Sequence, residues 1–193
     1  MKTTIRSSMM VALILGSVAV ARPELARAGS KSDPPATGAN DANIKKELSD
    51  AEILGVADTA NTRAIDQANV AVDKAQADSV KQYAQTMLKD HTEAKEQGRK
   101  LLAEVGISVS AVSAGLQKEG DDTMTQLETV LPSNFDRTYL QAQVRQQQSL
   151  LRTLDSVIPQ TQGPQLKGLM MYMRQLTEQH LATARSTLAT LGR

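Results

Sequence analysis

The sequence predicts an all-α protein: four long helices in a bundle, with a long crossover that carries a minor helix. Three observations carry this expectation. Apolar residues recur every three to four positions along four long stretches. Two of the three connections between those stretches are short, whereas the middle one, from about Ile107 to Leu131, exceeds twenty residues. The chain has no cysteine, so neither disulfides nor thiolate metal sites can hold it and packing must.

The first segment sets a compartment. Lys2 and Arg6 precede an apolar run from Met9 to Val20, followed by small-x-small sites at Ala19-Val20-Ala21 and Ala26-Arg27-Ala28. This is the pattern of a secretory signal peptide over residues 1–28, with cleavage after Ala21 or after Ala28. The run is too short to cross a hydrocarbon core of ~30 Å as a helix, and no later stretch reaches the ~20 apolar residues a span needs. A periplasmic or secreted protein is expected, with no transmembrane span after processing and no lipid-bearing cysteine. Residues 29–47 are rich in Gly, Ser, Pro, Asn, Asp and Lys and read as a disordered leader, and the folded domain is expected over 48–193.

The first helix has a well-marked start. Ser49 and Glu52 form a capping box, and Leu48 can pack on Ile53 as a staple. Its stripe runs Ile53, Ala57, Ala60, Ala64, Ala68, Val72 and Ala75. A break near Gln76 and Ala77, with Asp78 or a neighbour as a weak cap, leads to a second stripe of Val80, Ala84, Met87, His91, Ala94, Gly98, Leu101 and Val105, which Gly106 ends. Ser110 to Leu131 carries a shorter stripe, weakened by Gly115 and Gly120, and stops at Pro132. Ser133 and Asp136 repeat the capping logic before a stripe of Leu140, Val144, Gln147, Leu151, Leu154 and Ile158 that Pro159 stops. The last helix begins near Pro164 and carries Leu166, Leu169, Met173, Leu176, His180, Ala184, Leu188 and Leu191. At 1.5 Å per residue the four long helices are each about 40 Å long. Two hairpins joined by one long crossover is the arrangement of a ferritin-like four-helix bundle.

Charge and composition exclude several roles. The formal net charge is +1, and removing residues 1–28 takes away Lys2, Arg6, Arg22 and Arg27 against Glu24, leaving −2. Basic residues are interspersed with acidic ones and aromatics are 2% of the chain, so no nucleic-acid surface is expected. No Gly-x-Ser-x-Gly elbow or similar nucleophile context surrounds a serine, so hydrolase chemistry has no support. The Met170-Met171-x-Met173 group reads as core filling rather than a copper motif. The run Gln146 to Gln148 reads as helix surface with Gln147 alone turned inward.

Three segments carry a resemblance. Met87-Leu88-Lys89-Asp90-His91-Thr92, Phe135-Asp136-Arg137-Thr138-Tyr139 and Leu176-Thr177-Glu178-Gln179-His180-Leu181-Ala182-Thr183-Ala184 resemble the Asp-His-Thr, Phe-Asp-Arg-x-Tyr and His-Leu-x-x-Ala signatures of the bacterial family DUF4142. The resemblance covers about Ser49 to Leu191. It implies an exported ferritin-like bundle without an established activity. It also implies two departures, since members usually carry a Glu where Ala64 aligns and a His where Gln147 aligns.

His91 and His180 are the only histidines, and both sit on apolar stripes. Folding the first hairpin near Gln76 sets Asn61 level with His91, and a turn near Thr161 sets His180 level with about Gln143, one turn from Gln147. A layer of Asn61, His91, Gln147 and His180 is therefore expected inside the bundle. The sequence favours core histidines bonded to Gln147, Asn61, a backbone carbonyl or buried water. On that reading the protein is an exported, non-catalytic bundle with a binding, structural or stress-related envelope role, an unknown envelope partner and no cofactor. The alternative is a metal-binding or redox-active ferritin-like protein, with His91, His180 and Gln147 as a degenerate site for a labile divalent transition metal. Zn, Ni or Cu suit such ligands better than a di-iron centre, which needs converging carboxylates. Asp90 and Glu178 flank the histidines by one or two positions and are expected to point partly away. Buried and neutral, both imidazoles are expected to have lowered pKa values.

Overall fold

The computed structural model describes residues 47–191, so the expected signal peptide and nearly all of the leader lie outside the described residues. The elements are α1 (Asp50–Lys74), α2 (Asp78–Lys100), the single turn α3 (Leu102–Val105), α4 (Ala111–Thr129), α5 (Pro132–Val157), a 3-10 turn (Ile158–Gln160) and α6 (Pro164–Thr190). The chain is an all-α helical bundle, and among the described residues no helix is long and apolar enough to cross a membrane.

The starts and stops follow the local chemistry in part. Ser49 and Glu52 form the capping box, with the Ser49 N–H donating to Glu52 Oε2 at 2.9 Å and the Glu52 N–H to Ser49 Oγ at 3.3 Å. Leu48 joins Ile53 in one apolar cluster. Gly106 ends α3 with φ 72° and ψ −179°, a region essentially open only to glycine and distinct from the αL conformation expected of such a cap. The second helix, however, breaks at Leu101 before its last turn. Neither Asp78 nor Ser133 caps its helix. Proline at the first turn of α5 starts that helix without a side-chain cap, and Asp136 is used elsewhere.

Cross-helix contacts fix the directions. Asn61 meets His91 and Lys95 meets Asp58 and Thr62, so α1 and α2 are antiparallel. Arg174 meets Asp155 between α6 and α5, Asp90 meets His180 between α2 and α6, and Gln67 meets Gln143 between α1 and α5. The four long helices form a ring in the order α1, α2, α6, α5, with α1 diagonal to α6 and α2 diagonal to α5. Since all neighbours are antiparallel, the diagonal helices α2 and α5 run the same way, and the chain must travel the bundle's length between them. Helix α4 makes that journey. It runs beside α1 in the same direction, with Arg63 on Leu116 and Glu119 and Lys74 on Leu127, and its 19 residues cover about 28 Å. The expected minor helix is thus a full element capped by Ser110, and Gly120 lets it approach: a Cβ there would lie 3.1 Å from Arg63 Cβ.

The two hairpins repeat each other with an offset of 86 residues. Asp136, in the first turns of α5, accepts the N–H groups of Gln76 and Ala77 at 2.9 and 2.7 Å and so closes the α1–α2 turn. Asp50, 86 residues earlier, accepts those of Gln162 and Gly163, 86 residues later than Gln76 and Ala77, at 2.9 and 2.7 Å. Asp78 and Pro164, which open α2 and α6, are also 86 apart. Each hairpin therefore closes the turn of the other with one carboxylate.

Because α1 is covered by α2, α4 and α5, it buries more than its predicted stripe. Leu54, Val56, Asn61, Arg63, Gln67 and Ala71 are buried as well, while Val72 is only partly so. The core divides into two apolar clusters. One centres on Ile53, Leu54, Leu116, Leu154, Leu166 and Met170, the other on Ala68, Met87, Leu127, Phe135, Tyr139 and Leu140. Met170 and Met173 both belong to the first cluster, as core filling requires, whereas Met171 faces solvent.

Candidate functional site

A belt of buried polar side chains lies between the two apolar clusters, and all four long helices supply it: Asn61 and Gln67 from α1, His91 from α2, Gln143 and Gln147 from α5, Thr177 and His180 from α6. The hairpin register brings Asn61 opposite His91, and Asn61 Oδ1 lies 2.9 Å from His91 Nδ1. Asn61 Nδ2 faces Met173 Sδ at 3.7 Å, which fixes the amide with its oxygen toward the imidazole. A carbonyl oxygen only accepts, so His91 Nδ1 carries the proton and donates.

His180 is oriented by a residue the sequence placed elsewhere. Its Nε2 lies 3.0 Å from Asp90 Oδ2, so Nε2 donates to the carboxylate. Asp90 reaches α6 because α2 packs on two neighbours: the face one residue back from His91 fronts α6, while His91 itself faces α1. Glu178 is exposed and pairs with Arg174. The two imidazole rings are 5.2 Å apart, centre to centre, and tilted by 45°.

Each ring thus spends one nitrogen on an orienting partner. The other nitrogens, His91 Nε2 and His180 Nδ1, are buried and have no hydrogen-bond partner, and neither does Gln147 Oε1. Gln147 is buried as expected, but its bonds go elsewhere: Nε2 faces Gln143 Oε1 at 3.4 Å and Met87 Sδ at 3.9 Å, and no hydrogen bond joins it to either histidine. Gln143 in turn donates to Gln67 Oε1 at 2.9 Å. The contacts of Asn61 with Met173 and of Gln147 with Met87 are equivalent under the 86-residue repeat, because 61 pairs with 147 and 87 with 173.

Gln67 and Thr177 carry no sequence signal as belt residues, Gln143 is expected only as the position level with His180, and Asp90 is expected to point partly away yet meets His180. Gln146 is buried, against expectation, and donates to Thr123 Oγ1 at 2.7 Å, because α4 covers a second face of α5. Thr177 returns its hydroxyl to the Met173 carbonyl at 2.7 Å.

Burial governs the electrostatics. Desolvation first, then the charges of His180 and Arg63, push His91 from 6.5 down to about 3. His180 is also lowered, by desolvation, with the Asp90 carboxylate opposing. Both imidazoles are therefore neutral at pH 7, each holding an in-plane lone pair on its unpartnered nitrogen. Among the described residues no group of three or more His, Cys, Asp or Glu side chains converges, so the side chains here do not fit a carboxylate-bridged di-iron centre.

A cleft of about 260 Å³ between α1 and α2 reaches this belt. Leu54, Ala57, Gly98, Leu102 and Ile107 line it, with Asn61, Asp58 and Lys95 as polar members.

The family model described as Domain of unknown function (DUF4142) matches residues 33–187, which includes all three signature segments. No curated protein and no solved structure matches the chain.

Proposed function

This chain belongs to the DUF4142 family, and we propose that it is an extracytoplasmic, non-catalytic helical bundle that binds a labile divalent transition metal between His91 and His180. One observation carries the reading. Each histidine donates its N–H to an acceptor on a neighbouring helix, Asn61 or Asp90, and leaves its other nitrogen buried without a partner. Metal-binding imidazoles are held in this way, with the second nitrogen fixing tautomer and ring orientation through a carboxylate or carbonyl oxygen. Two imidazoles on one tetrahedral ion stand with ring centres roughly 5 Å apart, close to the 5.2 Å of this pair.

Gln147 Oε1 is the third candidate donor, a buried amide oxygen without a partner. An amide oxygen is a weak ligand, and a set of two imidazoles and an amide favours Zn, Ni or Cu held loosely over a tightly bound redox centre. The bound ion would supply a Lewis-acidic centre, while the side chains here orient and desolvate it. Export is supported by the apolar run from Met9 to Val20 behind Lys2 and Arg6.

The test is elemental analysis of protein recovered from its native extracytoplasmic compartment without chelators or a histidine tag, beside the double variant His91→Gln, His180→Gln. Metal near one equivalent that vanishes in the variant is expected. Metal-free protein that also ignores added Zn, Ni and Cu would leave two core histidines in a structural or partner-binding bundle.

A further inference from the structure

We propose that the cleft between α1 and α2 is the port through which small solutes reach the histidine pair, and that Asn61 is its gate. This rests on the metal reading for what passes but not for whether the port exists. Asn61 occupies two environments at once: it is 1% exposed, yet it lines the cleft, and its amide oxygen receives the His91 Nδ1 proton at 2.9 Å. Anything that enters meets Asn61 before it meets the imidazole. The amide is held on its inner side by that bond and by a long contact with Met173 Sδ, and opening the port requires the Asn61 side chain to rotate off the ring.

The cleft is built by particular residues. Gly98 has no side chain to fill it, and Ala57 offers only a methyl group. Leu102 and Ile107, both exposed, form its lips. At the mouth, Lys95 reaches Thr62 Oγ1 and lies 3.5 Å from Asp58, while Arg99 pairs with Glu96 at 3.0 Å. Two carboxylates thus face the opening, Asp58 beside Lys95 and Glu96 paired with Arg99. A cleft of about 380 Å³ between α4 and α5 is lined by Gln146 but by no residue bonded to a histidine, whereas the α1–α2 cleft is lined by Asn61, the hydrogen-bond partner of His91. His180 lies behind Asp90, on the α2–α6 side. The port therefore opens on His91 before His180, at the Nδ1–H edge that Asn61 covers, with the unpartnered Nε2 lying deeper.

Reaction of the full-length protein with diethyl pyrocarbonate, which acylates neutral imidazole, tests this when the modified peptides are read by mass spectrometry. His91 is expected to react ahead of His180. Asn61→Ala should raise the His91 rate about tenfold, and Ile107→Trp, at the half-exposed lip, should lower it severalfold while leaving the circular dichroism spectrum and urea midpoint unchanged. Zinc uptake from a chromogenic chelator should follow the same order, with the final occupancy of Ile107→Trp unchanged. Modification of His91 no faster than global unfolding measured by hydrogen exchange, or indifferent to Ile107→Trp, would overturn the port. Lip-dependent modification without any zinc binding would keep the port and remove the metal reading. Zinc binding at rates indifferent to the lip would do the reverse.

Discussion

Mild acid should destabilise this protein through His91. The unfolded chain takes up a proton near 6.5, whereas the folded chain holds His91 neutral down to about 3. A basic group whose folded value is depressed leaves stability complete above 6.5 and removes it as pH falls below 6.5, because only the unfolded state gains the proton. Between pH 7.5 and 5.0 this linkage amounts to about 2 kcal/mol for His91 alone, at 1.36 kcal/mol per unit of pH once well below 6.5. His91 is 2% exposed, so solvent screening does not reduce the figure. The lowered His180 acts in the same direction in the same window. Arg63 and His180 are the charged or titratable neighbours that disfavour the His91 cation, and Asp90 faces His180. The assay is urea denaturation followed by circular dichroism at half-unit steps of pH, in chelator, with His91→Gln alongside. At a slope of about 2 kcal/mol per molar urea the wild-type midpoint should fall by about 1 M or more, and His91→Gln should lose about 2 kcal/mol less than wild type. Coincident pH profiles of the two proteins, or an NMR titration placing His91 near 6.5, would refute the reasoning.

The two carboxylate closures should each matter, and equally. Asp50→Ala and Asp136→Ala each strip two backbone N–H groups of a charged acceptor and should cost about 1.5–3 kcal/mol. The double variant should be additive in urea melts, since the sites lie at opposite ends of the bundle; strong non-additivity would contradict their independence. Gly55→Ala would set a Cβ 2.1 Å from the Ser108 carbonyl oxygen, on the loop whose Ser108 N–H bonds Ala51. It should lose about 1–3 kcal/mol, whereas Gly168→Ala, with open space around it, should gain about 0.5–1 kcal/mol from helix propensity. Thermal melts that rank the two the other way would disprove that assignment of space.

Periodicity and hairpin arithmetic were enough to place the long helices and to set Asn61 against His91, because a tight antiparallel turn leaves little freedom in register. They failed where a helix has more than one neighbour. Asp90 sits off the His91 stripe and is expected to point partly away from it, yet it meets His180 on α6 because α2 presents two faces to protein. Gln146 reads as surface for the same reason, and its burial depends on α4, whose course along α1 no local pattern announces. Asp136 was assigned to its own helix because its spacing from Ser133 suits a cap; its real partners are 59 and 60 residues away. Polar side chains that bond across the bundle are silent in a single-helix pattern.

The reciprocal closure of the hairpins bears on how the molecule can assemble. Neither turn is complete without a carboxylate from the opposite half, so an isolated half-chain would leave two backbone N–H groups and one carboxylate without their partners, as well as half a core. The only covalent link between the halves is the stretch through α3 and α4. Should that stretch straighten, the first hairpin of one molecule could be closed by the second hairpin of another, with every interhairpin bond preserved. Exchange of halves between molecules is then opposed by chain concentration and by the docking of α4, not by any loss of complementarity.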